Sequence, residues 1–283
     1  CPGLVVVPPN YQLYVRKSDQ LIRMLHEYTP LIQQYSIDEA WMDMTGIQEA
    51  QTDPVGFATG LKDRIHRELG FTVNIGISVN HLLAKMGSEL QKPDRVHTLF
   101  PEEIPQKMWP LSVDELFFVG KTTAAHLHKL GIHTIGELAA ADPAALQMLL
   151  GRMGPTLHDY ANGRDETPVA EYVNREQAKS IGNMITAPRD IRTPADADLV
   201  LWPLCENVAH RLRRHGMCAG SVSLYIRDIQ LVTHTRQCQL TPPTWLAREL
   251  MEHARGLLAR HYKWKLPIRT LGVTAGDLVP ADQ

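Results

Sequence analysis

The sequence has no run of about 18 apolar residues, the length that a membrane-crossing helix needs, and no basic stretch followed by an apolar one at its start. A membrane partner is therefore not expected. Cysteine is scarce: Cys1, Cys205, Cys218 and Cys238 include no Cys-x-x-Cys spacing. That disfavours a structural zinc site and a disulfide framework, and a reducing cytoplasm is the expected setting. A methionine at position 1 is also missing, which raises the expectation of a processed or partial chain. What is present is enough to build cores: 283 residues, 44% hydrophobic and 21% charged. At about 150 residues per domain this makes two domains or three small ones, and it excludes a disordered chain, a collagen and a coiled coil.

The net charge of −2 is an average over two unlike parts. Residues 178–283 carry 14 Lys and Arg against 9 Asp and Glu, whereas the first 177 carry 15 against 22. A basic end on an acidic body suggests divided labour, with the basic part as the candidate for a polyanion.

The short apolar run Leu4–Val7, closed by Pro8-Pro9, predicts a strand, and periodicity predicts a helix through Leu21, Met24, Leu25 and Tyr28 that Pro30 stops. Ile32–Thr45 reads as a hairpin, and Ala58, Leu61, Ile65 and Leu69 mark a second helix. Val73–Val79 alternates cleanly: Val73, Ile75, Ile77 and Val79 on one face, Asn74, Gly76 and Ser78 on the other. The second face has so little bulk that a backbone or a ligand can approach it. Asn80 is a natural N-cap for a helix to about Leu90, and 91–94 is a break. From Ser112 the pattern is helical, with capping boxes at Ser112/Glu115 and Thr134/Glu137 and a cap at Asp142-Pro143. Residues 163–177 read as a linker. The remainder reads β-α-β-β-α-β, a ferredoxin-like unit.

Four places carry chemistry. Asp38 and Glu39 are adjacent at the hairpin tip, in Ser36-Ile37-Asp38-Glu39-Ala40. Two neighbouring carboxylates repel, and they suit Mg²⁺, with two such ions able to clamp an in-line displacement at phosphorus; the plain alternative is a solvated acidic turn. Lys85, on the helix after the small-residue strand, is placed to meet a triphosphate or is an ordinary surface lysine. Gly120 and Lys121 form a glycine turn before a helix, which either grips a phosphate by its backbone N–H groups or is a simple turn. Lys179, Ser180, Ile181 and Gly182 open the basic part; with Arg189, Arg192 and Arg227 they track a phosphate backbone or form a polar edge strand.

Taken together, these motifs resemble the Y-family (translesion) DNA polymerases of the bacterial polymerase IV and V type. Residues 35–43, YSIDEAWMD, resemble the family's SIDEA signature. Asn74–Asn80 with Leu83-Ala84-Lys85 and Lys92-Pro93 resembles its second palm motif, the Gly120 region its thumb helix-hairpin-helix, and Lys179–Gly182 with Arg269–Gly272 its little finger. The resemblance spans essentially the whole chain in family order. It implies an α+β protein: a partial palm of ferredoxin-like βαββαβ type (1–93), a helical thumb (94–162), a linker (163–177) and a ferredoxin-like little finger (178–283). It further implies Asp38 and Glu39 as ligands of two Mg²⁺ ions and Lys85 as the nucleotide-binding residue. Gly120, Lys121, Lys179–Gly182 and Arg189 would hold DNA. Primer–template DNA and a deoxynucleoside triphosphate would be the partners, with a sliding clamp a further candidate. Asp43 matches a family position but reads as structural.

His81 stands where a lysine is common, and Phe118 replaces the thumb turn's first glycine. Nothing before Asp38 matches the family's opening strand, which carries a third metal-binding aspartate and the aromatic that excludes ribonucleotides, nor its fingers. The expectation is thus an error-prone polymerase truncated at its N-terminus, which alone binds primer–template weakly and extends it poorly or not at all. The rival readings are a non-catalytic DNA-binding scaffold and a nucleotide cyclase on a similar palm; the basic last part and helical middle disfavour the cyclase.

Overall fold

The structure, a computed structural model, describes residues 1–170 and 178–281. It divides into two compact units, Cys1–Asn174 and Arg175–Gln283.

In the first unit, α1 (Tyr11–Leu25) starts at Asn10, whose Oδ1 accepts from Leu13 N, and buries Leu21, Ile22, Met24 and Leu25. The expected strand over Leu4–Val7 does not form: all four residues are exposed. An apolar run becomes a strand only when a neighbouring strand pairs with its backbone groups; among the described residues no strand pairs with it, and Leu4 N donates instead to Cys1 O in a local turn. β1 (Ile32–Gln34) and β2 (Ala40–Met42) form the hairpin, in antiparallel register from Ile32↔Met42 to Gln34↔Ala40. After α2 (Gln48–Thr52), α3 (Pro54–Leu69) is capped by Asp53 and closed by Gly70 in the left-handed region. Leu61 and Ile65 of α3 complete a core with α1 and Ile32.

β3 (Ile75–Ile77) is shorter than the alternation suggested and pairs in parallel with β4 (Val96–Thr98), a strand its sequence pattern did not reveal. Between them, α4 (His81–Glu89) is capped by Asn80, whose Oδ1 accepts from Leu83 N at 2.9 Å. The small-residue face of β3 meets this helix: a Cβ on Gly76 would stand 1.9 Å from Ala84 O and 2.4 Å from Ser88 N. The partner that comes close is backbone, not ligand.

Then follow α5 (Ile104–Lys107), α6 (Lys121–Lys129), α7 (Ile135–Ala140), α8 (Pro143–Leu150) and α9 (Met153–Ala161). Leu82, Leu83, Met86 and Leu99 share one core with Leu127, Leu138, Leu146 and Leu157 of these helices. The residues expected in palm and thumb are therefore packed together. The Thr134/Glu137 capping box forms. The Ser112/Glu115 box does not: Ser112 accepts from Asp114 N and starts only a short 3₁₀ turn, which leaves Glu115 without its reciprocal bond. Residues 163–170, expected as linker, are tied down by side chains. Asn80 Nδ2 donates to Gly163 O and Gln33 Oε1 accepts from Ala170 N. The rest of that stretch, 171–177, lies outside the described residues.

The second unit runs β5 (Ile181–Ile191), α10 (Pro194–Arg214), β6 (Met217–Asp228), β7 (Thr233–Thr244), α11 (Ala247–His261) and β8 (Ile268–Pro280), the expected element order. Its sheet has the order β5-β8-β6-β7, with every neighbouring pair antiparallel. Val222, Leu224 and Ile226 alternate with Ser221, Ser223 and Tyr225, so one face of the sheet buries its apolar side chains with those of α10 and α11. Pro203 sits inside α10, which continues through it over 21 residues. Among the described residues no helix is long and apolar enough to cross a membrane.

Candidate nucleotidyl-transfer site and nucleic-acid interface

The hairpin tip is a tight turn in which the N–H groups of Tyr35 and Ser36 both donate to Glu39 O. This closure puts Asp38 and Glu39 on either side of one hydroxyl. Ser36 Oγ is 2.7 Å from Asp38 Oδ1 and 3.3 Å from Glu39 Oε2. A hydroxyl has one proton to give, so it softens the repulsion of the pair without removing it. The cation comes from α4: Lys85 Nζ lies 2.5 Å from Glu39 Oε1. Asp38, Glu39 and Lys85, named from the sequence, thus stand together, 46 residues apart between Glu39 and Lys85.

A fourth member was not foreseen. Glu89 Oε1 accepts from Lys85 Nζ at 2.7 Å, and Glu89 Oε2 is 2.7 Å from Lys92 Nζ. The signal was available, since residues four apart on a helix share a face. Burial works against the charge on Lys85, but its bonds to Glu39 and Glu89 outweigh it and raise its pKa above the usual lysine value. Burial likewise disfavours the charged form of Glu89, yet Lys85 and Lys92 prevail and hold its pKa below the ordinary carboxylate range. Asp43 spends its carboxylate on Thr45 N, at 2.8 Å, and not on the tip.

As a donor set, the two tip carboxylates suit a hard divalent cation. Mg²⁺ is held by one or two carboxylates and fills its shell with water and substrate phosphate. Among the described residues no group of three or more His, Cys, Asp and Glu could enclose a metal, so the fit is to an open site of that kind and not to a closed structural one.

His81 has a structural task. Its ring nitrogens lie 2.7 Å from Thr167 O and 2.9 Å from Gln33 Oε1, and its carbonyl accepts from Trp41 Nε1. It joins α4, the hairpin and the 163–170 stretch. Beside it Tyr35, Trp41, Phe117, Phe118 and Tyr160 line an open pocket of about 140 Å³. Phe118 takes φ 71°, the left-handed backbone that a glycine adopts freely. The turn therefore keeps a glycine-like conformation without the glycine, and the ring is held against Phe117 and Tyr160.

Two residues later Gly120 is the N-cap of α6, and no side chain caps the helix there. The first N–H groups of a helix lack internal partners, so those at Lys121 and after it are the donors the sequence pointed to.

The second unit carries the remaining expected residues. Ser180 is exposed and Arg189 is 84% exposed, with only a loose approach to Asp196 at 3.8 Å. Ile181 is different: its side chain is in the core, 2% exposed, because β5 pairs it with Ala275 on the helix-covered face. Any contact it makes with DNA is by main chain. Gly182 packs on Thr274, and its carbonyl accepts from Arg211. What the sequence reading missed is the other face of the sheet. Ser221, Ser223, Tyr225 and Arg227 of β6 line up with Gln239, Gln237, Thr235 and Thr233 of β7, a row of hydroxyls, amides and one guanidinium. They bond one another, as in Ser223 Oγ to Gln237 Oε1 at 3.1 Å and Arg227 Nε to Thr233 Oγ1 at 3.3 Å. The period-two alternation was the signal.

Comparison with known proteins bears on the family and the fold. Residues 1–89 match the impB/mucB/samB family and residues 178–283 the C-terminal domain of the same family. DNA polymerase IV of Moorella thermoacetica is 41% identical over 281 residues, 99% of this chain and 70% of that protein. DNA polymerase IV 1 of Bacillus subtilis is 38% identical over 283 residues, all of this chain and 68% of the relative. Among solved structures, a Y-family DNA polymerase chimera superposes with a TM-score of 0.84 at 20% identity, covering 99% of this chain and 80% of that one. With relatives of this identity aligned along its whole length, the chain belongs to the Y-family DNA polymerases.

Proposed function

We propose that this chain provides the phosphoryl-transfer face and the DNA-holding surfaces of an error-prone, translesion DNA polymerase, which adds a deoxynucleotide to a primer 3′ end. The observation that carries the proposal is the meeting of Asp38, Glu39 and Lys85 at one hairpin tip. Asp38 and Glu39 would hold the divalent cations, Mg²⁺ in the first instance. Bound there, such ions lower the pKa of a hydroxyl and neutralise phosphate charge. Lys85 keeps its proton and offers a fixed positive charge to the incoming triphosphate. Ser36 orients the two carboxylates, and the 16% exposure of the Lys85 side chain limits its contact with water. The backbone donors after Gly120, with Lys121, would take one phosphate of the duplex. Lys179, Ser180, Gly182, Arg189, Arg227 and the hydroxyl face of β6 and β7 would follow the DNA backbone, which asks for charge and hydrogen bonds but not for base reading. We retain the division into palm, thumb and little finger at 93/94, 162/163 and 177/178 as part of this reading, together with a cytoplasmic location. A sliding clamp remains a proposed partner to which no residue of this chain is assigned.

The test is single-turnover incorporation on a 5′-overhang primer–template with Mg²⁺, beside salt-dependent DNA binding. Slow incorporation that Asp38→Asn lowers on the order of a hundredfold, with DNA binding kept, supports the proposal. Incorporation indifferent to Asp38 sinks it. DNA binding with no incorporation at any enzyme concentration favours the non-catalytic scaffold.

A further inference from the structure

Glu89 belongs to none of the motifs that mark the site, yet it takes half of the lysine on which the site depends. Lys85 Nζ is shared between Glu39 Oε1 at 2.5 Å and Glu89 Oε1 at 2.7 Å. The ammonium is the sheltered member: its side chain is 16% exposed, against 36% for Glu39 and 40% for Glu89. The two carboxylates compete for one cation, and one of them is also a proposed ligand of a divalent ion. Asp38 does not share the lysine: among the described residues Lys85 pairs with Glu39 and Glu89, and Asp38 Oδ1 accepts from the Ser36 hydroxyl.

We propose that Glu89 is a positioning residue for Lys85, retaining its ammonium when Glu39 turns to a divalent cation. This rests on the reading of Asp38 and Glu39 as cation ligands. Three observations support it. First, the Lys85–Glu89 pair lies within α4, four residues apart, so it survives any movement of the hairpin tip. Second, a sheltered ammonium that loses its sole counter-charge is costly; with Glu89 in place, Glu39 can leave without stranding it. Third, Lys92 holds the other oxygen of Glu89. The trio Lys85, Glu89 and Lys92 therefore keeps a net positive charge after Glu39 departs, which is the sign that a triphosphate requires. Glu89 thus lowers the cost of cation binding while leaving the lysine charged and ordered.

The experiment is a Mn²⁺ titration of the full chain followed by electron paramagnetic resonance, which needs no turnover. The proteins are the wild type, Asp38→Asn, Glu89→Gln, Lys85→Met and the Glu89→Gln/Lys85→Met pair, with thermal melts to confirm folding. Glu89→Gln is expected to raise the half-saturating Mn²⁺ concentration about threefold, the scale of a partly exposed ion pair. In the Lys85→Met background the same change is expected to do little, because there is no lysine left to retain. An equal weakening in both backgrounds overturns the proposal, since Glu89 would then act on the cation by bulk charge alone; so does no weakening in either. If Asp38→Asn leaves Mn²⁺ binding unchanged, the cation reading of the hairpin fails and takes this one with it. If Asp38→Asn abolishes binding and Glu89→Gln does not alter it, only the assignment of Glu89 falls.

Discussion

The two units of this chain are built in opposite ways. The second has strands of 11 to 13 residues and one core of 24 buried residues under a single sheet. Among its described residues, the first has four strands of three residues each and two separate cores of 7 and 15. A two-stranded hairpin is marginal alone, yet the carboxylates sit on such a hairpin. The difference follows from what each unit is proposed to do. A surface that follows a regular phosphate backbone benefits from a stiff platform. A site in which Glu39 must pass from Lys85 to a cation benefits from a tip with few ties.

The strongest way to break this comparison is through the second core. Leu224 is fully buried on the central strand β6. Leu224→Ala should cost about 2–5 kcal/mol, the transfer and cavity terms together. Amide exchange should show the loss along β6 and β8, with protection in α6 to α9 retained. If both sets of amides lose protection equally, the two units unfold as one and the contrast is false.

Glycine substitutions sharpen it. A methyl on Gly76 would meet only backbone, Ala84 O and Ser88 N. Nothing there can retreat except α4 itself, which carries Lys85. Gly76→Ala should therefore cost about 1–3 kcal/mol or more and lower nucleotide incorporation with it. In the second unit, a methyl on Gly276 meets only the Ser221 hydroxyl, at 2.8 Å. That group can turn away, and Gly276→Ala should shift the melting temperature by less than a third as much. Equal shifts would mean that β3 and α4 have more slack than their spacing shows.

Smaller still is the effect of one charge on the open sheet face. Arg227→Ala should reduce the slope of log affinity against log salt by about one, the release of roughly one counterion, and leave Mn²⁺ binding at the hairpin unchanged. A change of the opposite kind, in metal binding and not in salt dependence, would reassign Arg227 from the platform to the site.

Much of this was legible in the sequence, and unevenly so. Asp38, Glu39 and Lys85 could be named because they stand in segments that resemble family motifs, and the structure brings their side chains together. The second unit's element order could be read because long strands alternate over many residues. Three-residue strands cannot: β4 has too few residues to show a period, and Leu4–Val7 is an apolar run without a partner strand among the described residues. The capping pattern at Ser112 lost to a 3₁₀ turn for the same reason, a local preference without the helix to complete it. Glu89 went unnoticed because an i, i+4 ion pair on a helix is ordinary; its sharing of Lys85 with Glu39 makes it unusual. Ile181 was drawn to the DNA side by its neighbours Lys179 and Gly182, whereas strand parity sends it inward.

Acid offers the mildest test, and it again separates the units. In the first, Glu89 and Glu103 are held below the ordinary carboxylate range: burial pushes each up, but bonds from Lys85 and Lys92 to one, and from Lys107 and Phe100 N to the other, outweigh it. Asp43 is likewise lowered by its bonds from Thr45. In the second unit the only described carboxylate clearly lowered is Asp196, an exposed helix cap held by Thr193 and Arg192 N. A carboxyl whose folded pKa is depressed adds stability that is fully present above its unfolded value, about 4.3 for glutamate. That stability is lost as pH falls through the folded value. The first unit should therefore lose amide protection progressively below about pH 4.5, while the second keeps most of its own until lower pH. Glu103→Gln should flatten part of that dependence around β4 and α5. Should the second unit yield first, its stability rests on charges and not on its larger core, and the contrast between a stiff platform and a loosely tied site would have to be given up.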